Sequence, residues 1–295
     1  MSESSPSLGG KAPRWSQDRR LRFIDFRLQW QGRLNRSDLM EFFGISVPQA
    51  SADIAVYMDR APGNIEYDRS SRTYLASSSF KAIFQSSGPD QYLAQLLAID
   101  RGILDPAQAQ IGYLLPTESV HVPSRTIDRT ILASLIRAID GSQTVRVRYQ
   151  SIARDEPQWR DISPHAMCTD GLRWHARAYC HLRAGYRDFV LGRILELEGT
   201  RQPKVSAEED YEWHNFIEIV LAPNPELNAQ QRTGVEIDYG MTAGRVSFKC
   251  RQAMLFYTLR TLNFDNEGIP QKGERQLVIL NLHEVQPNLP KLGQF

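Results

Sequence analysis

The chain has 295 residues, with 35 Lys and Arg against 34 Asp and Glu and a formal net charge of +1. That length leaves room for about two or three domains, and the even charge balance means any nucleic-acid contact must come from local patches, not a global field. No apolar run approaches the ~18 residues of a membrane span. Cys168, Cys180 and Cys250 form no CxxC pair, which argues against a disulfide framework or a zinc site and for a reducing cytoplasm.

The first dozen residues, MSESSPSLGGKA, lack the apolar segment of a signal peptide and read as part of a disordered tail over 1–14. From Ser16 the pattern turns helical: Leu21, Ile24 and Leu28, with Phe23, Phe26 and Trp30, make a wide apolar stripe that ends at Gly32. Asn35 with Asp38 predicts an N-cap and an acidic first turn for a helix over Arg36 to Phe43. Gly44 then turns the chain. Ser46 with Gln49 has a capping-box pattern, with Pro48 in the first turn of a third helix that runs to about Arg60. Asn64 to Tyr67 and Thr73 to Ala76 read as two short strands of a hairpin.

Helix, helix, glycine turn, helix and hairpin is the layout of a winged helix-turn-helix over 15–79. The plain alternative is a three-helix core with a hairpin and no DNA. The outward face of the third helix favours DNA: Gln49, Ser51, Ala52 and Ala55 are small or amide-bearing, suited to close approach to base edges. Arg69 and Arg72 at the hairpin tip, Arg36, and the capped N-terminus at Ser46 are placed for phosphates. Through residue 75 there are eleven Lys and Arg against nine acidic residues, so one copy would bind weakly. A homodimer on an inverted repeat of double-stranded operator DNA would answer that.

Residues 80–142 read as a helical connection or dimerisation region. Helices are expected over Phe80 to Phe84, Tyr92 to Arg101 and Arg125 to Asp140, with a break at Ser86-Ser87-Gly88-Pro89 and irregular chain from Ile111 to Val122. The apolar stripe of the last helix suits either a dimer contact or packing on its own domain.

Residues 143–200 read as a small β domain. Thr144 to Tyr149 alternates, Trp159 to His165 follows, and LRWHARAYCH over 172–181 places Leu172, Trp174, Ala176, Ala178 and Cys180 on a packed face. Arg173, His175, Arg177, Tyr179 and His181 take the other face. Arg187 to Arg193 would put Arg187, Phe189, Leu191 and Arg193 together unless a bulge intervenes. Short strands and tight turns suggest an Sm- or SH3-like barrel. From Gln143 to Ile194 there are nine arginines and no lysine, and guanidinium forks match phosphate oxygens. Residues 201–295 read as an α+β extension: a polar connection at 201–209, a loop at 222–225, strands at Gly234 to Tyr239 and Gly244 to Lys249, a helix over Arg251 to Leu262, and a buried strand over Arg275 to Leu282.

The segments VRYQ, ISPHAMCTDGLRWHARAYC and RDFVLGRI resemble the WYL domain of bacterial transcriptional regulators, and more closely its phage-defence-associated CapW/BrxR branch. Where the eponymous Trp-Tyr-Leu would stand, this chain has Trp174, His175 and Ala176, a departure shared by that branch. The resemblance implies a homodimeric repressor with a winged helix, a WYL domain and a C-terminal extension that contributes to the dimer. It implies a pocket for a nucleotide or nucleic-acid-derived ligand, carried over onto Tyr149, His165, His175, Arg177, Arg187 and Arg193. The residue chemistry agrees: arginines pair phosphates, and Tyr149 can stack a base.

An enzyme is not expected. His165, Asp170, His175 and His181 are near in sequence, but His175 and His181 on one strand stand about 20 Å apart at ~3.3 Å per residue. No HExxH, GxSxG, P-loop or GxGxxG stands at a suitable place, and neither cofactor nor metal is called for. The rival reading is a sensor module whose winged helix makes only protein contacts.

Overall fold

The computed structural model describes residues 12–84, 88–200, 202–264 and 276–289. The tail up to residue 11, the break at Ser86 and Ser87, Arg201 and the start of the last strand at Arg275 lie outside them. The chain divides into two compact units, Met1–Val122 and Pro123–Phe295.

In the first unit, helix α1 spans Ala12–Gln31 and so begins inside the segment expected as tail. Its apolar surface is wide because it serves two cores. Leu21, Phe23, Ile24 and Leu28 pack with Leu39, Ala50, Ile54 and Tyr57, while Phe26 packs with Tyr92, Leu96 and Ile111. Gly32, at φ +67, ends the helix, since only glycine takes that conformation without strain. Strand β1 (Arg33–Leu34) and helix α2 (Arg36–Phe43) follow, and the Asp38 carboxylate accepts from the Asn35 backbone N–H at 2.6 Å. Helix α3 runs over Val47–Arg60. Strands β2 (Ile65–Asp68) and β3 (Thr73–Ala76) form the wing, in a sheet ordered β1-β3-β2.

Residues 80–84 are not the helix expected. Asp25 of α1 is fully buried and accepts from the backbone N–H groups of Ile83 and Phe84 at 3.1 and 3.2 Å, and from the Tyr57 hydroxyl at 2.5 Å. Asn64 accepts from the Lys81 N–H and donates to its carbonyl. The backbone groups a helix would use are thus engaged by side chains, and the segment straps α1 to α3 in an extended run. Helix α4 follows over Pro89–Asp100.

The second unit opens with helix α5 (Arg129–Asp140), capped by Asp128. It packs Ile131, Leu135 and Ala138 on its own domain. Five antiparallel strands follow: β4 (Val145–Tyr149), β5 (Gln158–Thr169), β6 (Trp174–Cys180), β7 (Gly185–Val190) and β8 (Ile194–Gly199). Their order is β7-β6-β5-β4-β8, so the last strand returns beside the first. No ladder joins β7 to β8 among the described residues. Val145, Val147, Tyr149, Ile162, Ala176, Ala178, Cys180 and Phe189 fill the face under α5. Trp174, expected in that core, is 51% exposed. It pairs with Thr169 at the end of the β5–β6 ladder, one step beyond Ala176, where the core stops.

Helix α6 (Tyr211–His214) leads into β9 (Phe216–Pro223), then α7 (Ala229–Asp238), β10 (Val246–Arg251), α8 (Leu255–Thr261), β11 (Leu277–Ile279) and α9 (Leu282–Val285). Strand β9 is central in the order β10-β9-β11, although the sequence marks only the loop at 222–225 there and no strand is expected over 216–221. Its alternating Ile217, Ile219 and Leu221 are buried. The strand expected at Gly234 to Tyr239 is the end of α7, which Asn228 and Gln231 open with a reciprocal capping box at 2.9 Å each way. The strand expected over 275–282 is the short edge strand β11.

Tyr57→Phe removes a hydrogen bond to a buried carboxylate and should cost about 1.5–3 kcal/mol in urea unfolding. A loss under ~0.5 kcal/mol would show that the Asp25 strap does not depend on the phenol.

Candidate DNA-binding surface and ligand-sensing site

The N-terminal turn of α3 stands free on the first unit. Val47, Pro48, Gln49, Ala52 and Ala55 are exposed, while Ser51 is half-buried and so less outward than expected. Ser46 caps the helix, its hydroxyl accepting from the Gln49 N–H at 3.4 Å. The other half of the expected capping box is not made, because the Gln49 amide nitrogen donates instead to Asp53 at 3.2 Å. Asp53 is fully buried on the inner side of α3. Arg20 of α1 donates to both of its oxygens, at 2.5 and 3.2 Å. This ion pair sets α3 on α1, and nothing in the spacing of the sequence announced it.

At the wing, Arg69 and Arg72 are exposed and make no ion pair to a described residue. Between the strands, Asp68 accepts from the Ser70 and Ser71 hydroxyls at 2.6 Å each. Those bonds hold its carboxyl down at about 2 and order the tip. Arg36, at the start of α2, donates to the Tyr74 hydroxyl at 2.7 Å, with its guanidinium over that ring. Arg36 is therefore held against the wing, with its other donors outward. The capped α3 terminus, Arg36 and the wing arginines all belong to one small unit.

The six expected ligand residues do not converge. Tyr149 lies within the core under α5, edge-on to Phe189 at 5.0 Å, with its hydroxyl accepting from the Val190 N–H. Arg187 stands opposite Ala178 in the β6–β7 register and so shares that face. Arg193 is half-buried in the single turn that follows β7. His165, His175 and Arg177 take the opposite face, and that face is covered, not open as the sequence suggested. His175 is 2% and Arg177 3% exposed.

What covers it is the start of the C-terminal extension. Arg177 Nε and Nη2 donate to the two oxygens of Asp210 at 2.7 and 2.9 Å, Nη2 also to Glu212 at 2.8 Å, and Nη1 to Asp188 at 3.3 Å. His165 Nε2 meets Asp210 at 2.9 Å, and Tyr257 of α8 donates to Asp188 at 3.0 Å. Burial works against the charged guanidinium, but its three carboxylates outweigh that and hold Arg177 more firmly protonated than usual. Burial alone would raise the Asp210 carboxyl; the hydrogen bonds from Arg177 and His165 bring it down to about 2. Burial lowers His175 below the ordinary histidine range, so it is neutral at neutral pH, its ring 5.3 Å from that of Tyr257. Asp188, Asp210, Glu212 and Tyr257 were not foreseen. Asp188 sits across from Arg177 in the ladder, a cross-strand pair legible only once the register is known.

A winged helix, a five-stranded sheet with a buried arginine, and an α/β C-terminal domain together have the layout of a transcription regulator of the WYL class. Residues 16–98 match the family model of the BrxR transcriptional regulator winged helix-turn-helix domain, 130–198 that of the WYL domain, and 216–285 that of the BrxR transcriptional regulator C-terminal dimerization domain. The chain is 46% identical over 282 residues to the DNA-binding transcriptional repressor CapW of Stenotrophomonas maltophilia, covering 95% of this chain and 94% of that protein. To the repressors of the same name from Pseudomonas aeruginosa and Escherichia coli (strain KTE188) it is 42% and 40% identical, over 95% and 94% of this chain and 94% and 93% of theirs. The chain belongs to the CapW family of DNA-binding transcriptional repressors. Among the described residues, no helix is long and apolar enough to cross a membrane.

Arg177→Met would leave Asp188 and Asp210 buried without their guanidinium, at an expected cost of about 3–5 kcal/mol in urea unfolding at pH 7. Because the Asp210 carboxyl is depressed, its contribution is fully present above the ordinary carboxylate range and is lost as pH falls through about 2. The deficit of Arg177→Met should accordingly be full at pH 7 and narrow as pH falls towards about 2. A deficit that does not change between pH 7 and pH 3 would show that the clamp does not act through the charge of these carboxylates.

Proposed function

We propose that this protein is a cytoplasmic homodimeric repressor that binds an inverted repeat in double-stranded operator DNA, in front of a phage-defence operon, and is released by an anionic nucleotide or nucleic-acid-derived ligand. The observation that carries the DNA reading is the free N-terminal turn of α3, with Gln49 and Ala52 exposed and Arg69 and Arg72 standing on the adjoining wing. Residues at the start of a recognition helix reach base edges, and wing cations meet phosphates. In this reading Gln49, Ser51 and Ala52 face the major groove, and Arg36, Arg69, Arg72 and the capped helix N-terminus at Ser46 the backbone. Two copies double the phosphate contacts, which the even charge balance of one copy requires. The match of residues 216–285 to a dimerization domain supports the pairing.

The ligand reading rests on Arg177. Its paired bonds to Asp210 have the fork geometry that a guanidinium also offers to a phosphate. An anion that exchanges for Asp210 would meet Arg177, His165 and, on the same face, His175. Asp210 caps α6, which leads directly into β9, so the exchange would loosen the C-terminal domain from the sheet. Release then follows if the ligand binds the loosened arrangement better than the DNA-competent one. Tyr149, Arg187 and Arg193 form a second group, on and beside the core face, that a longer ligand would have to reach.

The test is fluorescence anisotropy on the DNA just upstream of the gene, against a shuffled duplex at fixed salt. A preference of ~1000-fold or more is expected. Arg69→Ala with Arg72→Ala removes two phosphate contacts from each copy of the dimer, and should weaken both duplexes and lower the salt slope by about 4. Equal, weak binding to both duplexes would overturn the repressor reading and leave a sensor module that acts through protein contacts.

A further inference from the structure

The bond between Gln49 and Asp53 determines which end of the Gln49 amide is available. A carboxylate only accepts, so Gln49 must turn its nitrogen, not its oxygen, to Asp53, as the 3.2 Å bond records. Asp53 cannot swing away to follow a moving partner. It is fully buried, receives two bonds from Arg20 at 2.5 and 3.2 Å, and takes a further one from Gln17 at 3.3 Å. Turning the Gln49 amide over would set its oxygen against a buried carboxylate, with two acceptors at hydrogen-bond distance and no proton between them. Gln49 itself is exposed, in the first turn of α3.

We propose that Asp53 is a positioning residue for base reading: it presents the Gln49 carbonyl oxygen to the DNA, so that Gln49 selects a base with an exocyclic amine in the major groove. Adenine offers such a donor at N6 and cytosine at N4, whereas guanine and thymine offer acceptors at the corresponding places. Adenine ranks first, because the second hydrogen on Gln49 Nε2 is left for its N7. The inference deepens the repressor reading and rests on α3 being the helix that meets base edges. It also assigns a purpose to the buried Arg20 beyond stability, since Arg20 holds Asp53 in place.

The experiment starts from an operator defined by footprinting. At each adenine the base is replaced by unsubstituted purine and at each cytosine by pyrimidin-2-one, the opposing base unchanged, so that one exocyclic amine is removed from the major groove and nothing else on the pair is altered. Ratios of affinity, not affinities, are compared, which cancels any general effect of charge at position 49. For the parent protein, one position per half-site should lose about 10-fold, the size of a ~1.4 kcal/mol base contact. Gln49→Glu keeps only acceptor oxygens and should retain that preference; Gln49→Met should flatten it. The proposal is overturned if Gln49→Glu loses the preference. If Gln49→Met still binds the operator and no position changes, Gln49 reads no base and this inference falls while the repressor reading stands. Absence of any operator preference in the parent protein would instead remove the repressor reading itself.

Discussion

The buried guanidinium of Arg177 is the constraint on which the second unit depends. A charge taken out of water costs several kcal/mol unless partners of opposite sign surround it in good geometry. Arg177 draws those partners from three places: Asp188 on the neighbouring strand, Asp210 at the cap of α6, and Glu212 in the first turn of that helix. The sheet and the C-terminal domain are therefore joined by a requirement for neutralisation as well as by apolar packing. A joint of that kind is specific in geometry, because each hydrogen bond fixes a distance and a direction that apolar packing does not.

The first unit repeats the device on a smaller scale. Arg20 of α1 and Asp53 of α3 meet in a buried two-bond pair, and Asp25, Tyr57 and Asn64 strap the chain after the wing to the same two helices. Fixing α3 so firmly suits a surface that must present a few side chains in register to DNA, where an error of one ångström misaligns a hydrogen bond. The exposed turn of α3 pays for its freedom from packing with this support underneath. Helix α3 and the five-stranded sheet thus share one principle: a polar or charged residue is placed by an interior partner of opposite character.

Much of the fold was legible because it rests on local rules. Asn35 with Asp38, Ser46 with Pro48, and the glycines at 32 and 44 mark helix ends through hydrogen bonds and dihedral limits acting within a few residues. Alternation along 174–180 marked a strand with two unlike faces, and the match of quoted segments to a known domain marked its class. Three elements went astray for identifiable reasons. Residues 80–84 have helical composition but spend their backbone N–H groups on Asp25 and Asn64, partners far away in sequence. Residues 234–239 read as a strand until the capping box at Asn228 and Gln231 is weighed. Strand β9 was obscured by the proline that ends it.

By itself, then, the sequence determined the winged helix, the strand carrying His175 and Arg177, and the family to which the chain belongs, since helix caps, periodicity and motif are short-range properties. Only the tertiary structure decided what those side chains meet. Whether Arg177 faces water or three carboxylates and whether Tyr149 lines a pocket or a core depend on residues some tens of positions away or on another strand. Burial and ion pairing are set by the whole packed unit, because the cost of an unpaired charge falls on whichever distant group can neutralise it.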